Sequence, residues 1–75
     1  MNPLREARAV CAAFGPHARS LRRTAGLSQR DLAKRALISR KYVQQIEYGK
    51  ANPTLETLVL LACALDVELS EILPR

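Results

Sequence analysis

Apolar positions in this chain recur at intervals of three and four, and Pro, Gly and capping residues cut the pattern into short segments. Asn2-Pro3 predicts a helix start running to about Ala13, with Leu4, Ala7, Cys11 and, just beyond, Phe14 along one side. Gly15-Pro16 interrupts that stripe. Pro16 fits the first turn of a following helix, where Ala18, Leu21 and Ala25 continue it, so the pattern allows either one kinked helix or two. Gly26 ends the segment. Ser28 caps a short helix and Asp31 completes a variant capping box, with Leu32, Ala33 and Ala36 facing inward. After the turn Ala36-Leu37-Ile38, Ser39 caps a second short helix, with Val43 and Ile46 inward and Gly49 as its stop. Thr54 caps a longer helix through Leu65, whose predicted core side is Leu55, Leu58, Val59, Ala62 and Leu65. A last turn, Leu69 to Leu73, is closed by Pro74. Nothing alternates with the period of a strand, and there is no internal repeat or low-complexity linker.

Composition agrees with that pattern. Seventy-five residues make one small domain, which buries only about 60 % of the surface its unfolded chain exposes. Apolar residues are 48 % of the chain, aromatics 4 %, and there is no Trp; Leu and Ala dominate, which favours packed helices over sheets. The fold class is therefore all-α, a compact bundle of about five helices. Residues 1–13 read as an N-terminal helical extension and residues 14–75 as the domain proper. Cys11 and Cys63 fit no metal or redox spacing; both lie in apolar runs and are expected to be buried thiols in a reducing compartment. The N-terminus lacks a signal-peptide core, and the run LVLLACAL is too short to span a bilayer. A cytoplasmic protein is expected, with no membrane partner.

Charge points to a partner. The net charge is +5, unevenly spread. Residues 19–50 hold nine Lys or Arg against Asp31 and Glu47, a local +7, whereas residues 51–75 carry a local −3. A polyanion is attracted to the middle of the chain and repelled from its end. Arg40 and Lys41 stand out because they occupy the first turn of a helix. That end is already partially positive, and each cation there costs a few tenths to about 1 kcal/mol. No nucleophile–base arrangement, carboxylate dyad, glycine-rich phosphate loop or metal-ligand cluster is present, and His17 stands alone. Enzymatic activity, a cofactor, a metal and a small-molecule ligand have no support.

The two short helices, about 28–36 and 39–48, have the spacing of a helix-turn-helix, whose members cross steeply over a turn of three or four residues. Counting Gln29 as the first position, Leu32, Ala33, Ala36, Ile38, Val43 and Ile46 fill the fourth, fifth, eighth, tenth, fifteenth and eighteenth. All are apolar, and the close-contact fifth position is Ala. With LSQ-x-x-LA, IS-x-x-Y-V-x-x-IE-x-G-K and NPT-L-x-T-L at these separations, residues 14 to 73 resemble the phage-repressor-like family of helix-turn-helix DNA-binding domains. The resemblance implies the lambda-repressor-like bundle and double-stranded DNA as partner. Three features depart from it. Leu37 stands at the ninth position, usually Gly; Leu60 and Cys63 replace residues often charged; and residues 1 to 12 precede the usual start. A left-handed Leu37 would carry about 1–2 kcal/mol of strain, and any other conformation would change the angle of the second helix. Leu60 points away from the predicted core stripe, to be covered by the N-terminal segment, by a partner subunit or by nothing.

With Val43 and Ile46 inward, Lys41, Gln44, Gln45 and Tyr48 fall on the outer face, flanked by Arg40 and Tyr42. Arg and Lys donate to guanine, Gln pairs with adenine, and an aromatic ring touches a thymine methyl. Matching family positions imply Arg40, Lys41, Tyr42 and Gln45 as base readers, with Gln44 open between base, phosphate and solvent. Ser28 and Gln29 at a helix amino end form an anion site, and the resemblance adds Ser39, Tyr48, Lys50 and Asn52 as backbone contacts. Arg19 and Arg23 add long-range attraction or are simply solvated. The resemblance also implies a structural ion pair between Arg22 and Glu47.

These readings describe a sequence-specific transcriptional regulator that works as a homodimer on a two-fold symmetric operator, with RNA polymerase a further candidate partner. The acidic, apolar C-terminal third offers Leu60, Leu61, Val67, Leu69 and Ile72 as dimer candidates. The organisation resembles small controller proteins of restriction–modification systems and small phage repressors. The alternative is a protein-interaction module, an antitoxin or transcription-machinery adaptor, on the same fold; cations and amides on the exposed helix face speak against it.

Overall fold

The computed structural model describes residues 2–74 and consists of five helices: α1 (Pro3–Thr24), α2 (Gln29–Ala36), α3 (Arg40–Glu47), α4 (Leu55–Leu65) and α5 (Leu69–Ile72). No strand occurs among the described residues. Four starts are capped by side chains. Asn2, Ser28, Ser39 and Thr54 each accept from the backbone amide three residues on, and Asp31 returns the bond to the Ser28 amide at 3.1 Å.

The first helix is continuous across Gly15-Pro16. Pro16 removes one backbone donor from the interior of α1, but it faces solvent, while Phe14, Gly15 and Ala18 on either side of it are buried. Gly15 explains why the helix stays docked. A Cβ there would fall 2.5 Å from the Glu47 carbonyl oxygen and 2.8 Å from that of Ile46, closer than real atoms come. Only a residue without a side chain lets α1 lie directly on the carboxyl end of α3.

The core gathers Phe14 and Ala18 from α1, Leu32, Ala33 and Ala36 from α2, Val43 and Ile46 from α3, Leu61, Ala62, Ala64 and Leu65 from α4, and Ile72 from α5. The last turn is also tied to α1 by the His17 imidazole, whose Nε2 lies 2.7 Å from the Glu71 carbonyl oxygen. So the solitary histidine fastens α5 rather than merely meeting solvent.

Several expectations from periodicity are corrected. Leu55 and Val59 are exposed, and the buried side of α4 is Thr57, Leu61, Ala62, Ala64 and Leu65, with Leu58 half-buried. Leu60 is covered by the protein's own core, against which it packs half-buried. Because α4 is apolar nearly all the way round, the 3.6-residue period could not say which side would dock. Leu61 (1 % exposed) and Ile72 (0 %) lie inside the monomer and have no surface to offer a partner subunit, which removes both from the dimer candidates. Leu4, Ala7 and Ala25 are exposed, so the stripe on α1 is core only around Phe14 and Ala18. Both cysteines are free thiols, and neither is fully buried; Cys11 is half-buried and Cys63 exposed.

The turn between α2 and α3 keeps the left-handed residue. Leu37 has φ 60° and ψ 36°, and the Ile38 amide reaches back to the Ala33 carbonyl at 3.1 Å, closing α2 in a Schellman turn. Gly26, Gly49 and Asp66 close α1, α3 and α4 in the same backbone conformation. Leu37 is 81 % exposed, so its side chain returns almost no burial for the strain it imposes. Leu37→Gly is therefore expected to stabilise the domain by about 0.5–1 kcal/mol, the strain relieved exceeding the extra chain entropy of glycine. Thermal unfolding should report this as a rise of several degrees, and Leu37→Val should lower the midpoint.

Candidate nucleic-acid interface

The arrangement is built outward from one carboxylate. Glu47 ends α3 and is only 2 % exposed. The Arg22 guanidinium grips it with two bonds, Nε to Oε2 at 2.7 Å and the second terminal nitrogen to Oε1 at 3.0 Å. The remaining Arg22 nitrogen donates to the Leu27 carbonyl at 2.9 Å, while the Leu27 amide donates to the Arg22 carbonyl at 3.1 Å. Arg22 thus locks the α1–α2 turn and α3 together. Gln29 Nε2 donates to Glu47 Oε1 at 3.2 Å, Arg19 Nε lies 3.5 Å from the same oxygen, and Arg19 also donates to the Glu47 carbonyl at 3.4 Å. Spaced at i, i+4 and i+7, Gly15, Arg19 and Arg22 put one face of α1 onto the end of α3. No buried side-chain nitrogen or oxygen among the described residues lacks a partner.

Burial pushes the Glu47 carboxyl up, but the hydrogen bonds from Arg22 and Gln29 and the charges of Arg22 and Arg19 outweigh it and hold the group below its ordinary value. The bond to Glu47 is also what raises Arg22.

With its inner side fixed, α3 turns the opposite face outward. Arg40, Lys41 and Gln45 are exposed; Tyr42 and Gln44 are half-buried, Tyr42 packing partly on the core. The first turn of α3 contains no acidic residue, and neither Arg40 nor Lys41 has an ion-pair partner among the described residues. Both charges point at solvent from the positive end of a helix.

Ser28, Gln29 and Arg40 come together with Arg22, Arg23 and Arg30 around an open cleft of about 580 Å³ at the amino ends of α2 and α3. The Ser28 and Ser39 oxygens accept the capping bonds from Asp31 and Tyr42 at 3.0 Å, which leaves each hydroxyl hydrogen free to donate. Two helix amino ends, a hydroxyl and several arginines suit a phosphate group. Sequence reasoning does not single out Arg30; its signal is a cation in the first turn of α2, two residues after the capping Ser28. Gln29 is shared between this cleft and Glu47, a double duty its spacing did not reveal. Tyr48, Lys50 and Asn52 lie at the other end of α3, all exposed, with the Arg19 guanidinium 5.7 Å from the centre of the Tyr48 ring. Arg19 is thus held by Glu47 and Tyr48 rather than being free surface. No group of three or more His, Cys, Asp or Glu among the described residues could hold a metal ion, and no described helix is long and apolar enough to cross a membrane.

Two short helices over a tight turn, the second fixed from behind and offering cations and amides in front, define a helix-turn-helix nucleic-acid-binding domain. Residues 19–72 match the family described as "Helix-turn-helix", and the chain belongs to that family of DNA-binding transcription regulators. It is 39 % identical over 57 residues to the control protein C.SmaI of Serratia marcescens, covering 76 % of this chain and 68 % of that protein. It is 38 % identical over 58 residues to the immunity repressor protein of Bacillus phage phi105, covering 77 % of this chain. Among solved structures, the restriction-modification controller protein C.AhdI of Aeromonas hydrophila superposes with a TM-score of 0.83 at 41 % identity, over 85 % of this chain and 97 % of that one. The matched segment is only 40 % of the phage repressor's length and 43 % of that of a Deinococcus deserti regulator.

Removing Glu47 leaves a buried guanidinium uncompensated, so Glu47→Gln is expected to cost about 3 kcal/mol in chemical denaturation. The acid limb has a definite sign. A carboxyl held below its unfolded value, about 4.3 for Glu, contributes stability above that pH and loses it as pH falls through the lowered folded value. Asp31, held down first by its bond from the Ser28 amide, titrates in the same direction. The difference between wild type and Glu47→Gln in denaturant titrations should therefore narrow below about pH 4.

Proposed function

We propose that this chain is a sequence-specific transcriptional regulator of the controller or phage-repressor kind, binding double-stranded DNA as a homodimer. The observation that carries the reading is the cation pair Arg40 and Lys41, without an ion-pair partner among the described residues, at the positive end of an otherwise well-anchored α3. In the free protein that placement is unfavourable; against a polyanion, helix dipole and side chains act together. Arg40, Lys41, Tyr42 and Gln45 read base edges in the major groove, and Gln44 contributes at its margin. Ser28, Gln29, Ser39, Tyr48, Lys50 and Asn52 hold the backbone, with Arg23 and Arg30 added by the cleft they share with Ser28.

A single reading helix covers a few base pairs, so two-fold pairing extends the sequence read. The C-terminal third exposes Leu69 and half-exposes Leu60 and Val67, and it also exposes Leu55, Val59 and Leu73. These are the apolar residues available to a second subunit. The protein works in the cytoplasm, where binding at a promoter governs access of RNA polymerase. Residues 1–13 form an extension to the DNA-binding domain.

Selecting bound duplexes from a random pool tests the reading directly. A two-fold symmetric consensus with half-sites about 34 Å apart is expected; no enrichment would favour a protein-interaction module on the same fold. On the selected operator, Arg40→Ala should lose about 1–3 kcal/mol at one base position and relax preference there. Equal loss on operator and random duplex would remove Arg40 from the base readers.

A further inference from the structure

The first turns of α1 contribute little to the core. Every residue from Asn2 to Val10 is exposed, and the family match begins only at residue 19. The helix is nevertheless started by a side-chain cap, the Asn2 oxygen accepting from the Arg5 amide at 3.2 Å. It is also held close to the loop that follows α3. Gly49 (φ 73°) lies so near α1 that a Cβ would fall 3.3 Å from the Ala12 Cα, and the Cys11 thiol is 3.8 Å from Asn52 Oδ1. Between helix and loop runs an open groove of about 460 Å³, with Leu4, Arg8 and Cys11 on one wall and Lys50 and Asn52 on the other.

Charge is sorted around this arm. At roughly 100° per residue, Arg8 shares the loop-facing side with Leu4, Cys11 and Gly15, and Arg5 lies at its edge beside Ala12. Glu6 falls on the opposite side. Neither Arg5 nor Arg8 has an ion-pair partner among the described residues. A helix lying in a major groove is bordered by phosphate backbone on both walls. The amino end of α3 has the arginine cleft for one wall. At its carboxyl end the following loop, residues 48–54, supplies Lys50 as its one cation, and the arm brings Arg8 alongside.

We infer that the amino-terminal arm of α1 is a second phosphate-binding edge, with Arg8 and Arg5 contacting the duplex backbone next to Lys50 and Asn52. The assignment rests on the reading of α3 as the groove-binding helix and extends the interface beyond the matched family segment. Exposed, cationic and continuous with Lys50, this edge suits a polyanion rather than an apolar partner. Its contacts add affinity without reading sequence.

The test is the salt dependence of binding to the operator selected by the wild-type protein. Each phosphate contact contributes about 0.9 to the slope of log affinity against log salt. Arg5→Ala combined with Arg8→Ala should lower the slope by about two, with the base consensus unchanged. Its affinity deficit should shrink roughly ten-fold between 50 and 200 mM salt. Alanine favours helix, so helicity by circular dichroism should hold, and Glu6→Ala on the opposite side should not reduce the slope. An unchanged slope in the double variant overturns the assignment whether or not affinity falls. If the wild-type protein itself enriches no sequence, the reading of α3 fails and takes the arm with it; enrichment with an unchanged slope overturns the arm alone.

Discussion

Everything on the presenting face of this domain depends on how one buried carboxylate is held. Glu47 closes α3, and α1 meets it three times on one face: with the missing side chain of Gly15, with Arg19 and with the two-pronged grip of Arg22. Gln29 brings α2 to the same oxygen. A buried ion pair of this kind is weak evidence of net stability, because desolvation offsets most of the attraction. Its value here is geometric. Arg22 also binds the Leu27 carbonyl, so α1, the turn, α2 and α3 share one rigid node, and the outer face of α3 inherits its direction from it.

The electrostatics of α3 then differ at its two ends. At the carboxyl end Arg19 meets the negative pole and donates to the last carbonyl, the favourable arrangement. At the amino end Arg40 and Lys41 oppose the positive pole with no carboxylate among the described residues to relieve them. Such frustration on the free surface, beside an interior whose described polar groups are all satisfied, is what the proposed contact with a polyanion would relieve. Half of the helix is arranged for folding, and the other half is the part to which the proposal assigns binding.

The turn shows how topology overrides local preference. A Schellman closure after α2 is needed to swing α3 across, and the backbone adopts it although Leu37 is poorly suited to a left-handed conformation. The same closure ends α1 and α3 on Gly and α4 on Asp, residues that tolerate it. Strain of about 1–2 kcal/mol at Leu37 is small beside the burial of Ala33 and Ala36 before the turn and Val43 after it.

Short-range chemistry was legible in the chain itself. Ser28, Ser39 and Thr54 mark helix starts, Gly26 and Gly49 mark stops, and the apolar spacing from Leu32 to Ile46 defines the helix-turn-helix, because each of these signals acts within a turn or two of its own residue. What needed the tertiary structure was every choice between faces that look alike locally. Nearly uniform apolarity left the buried side of α4 undecided until α2 and α5 docked, which is why Leu61 and Ile72 went inward and Leu55 and Val59 stayed out. The continuity of α1 through Pro16 followed from the contact of Gly15 with α3, thirty-odd residues away in sequence. Likewise the clustering of Arg23 and Arg30 with Ser28, and of Arg8 with Lys50, exists only once separate segments are folded together. Periodicity reports which residues can share a face of one helix; only packing decides what that face meets.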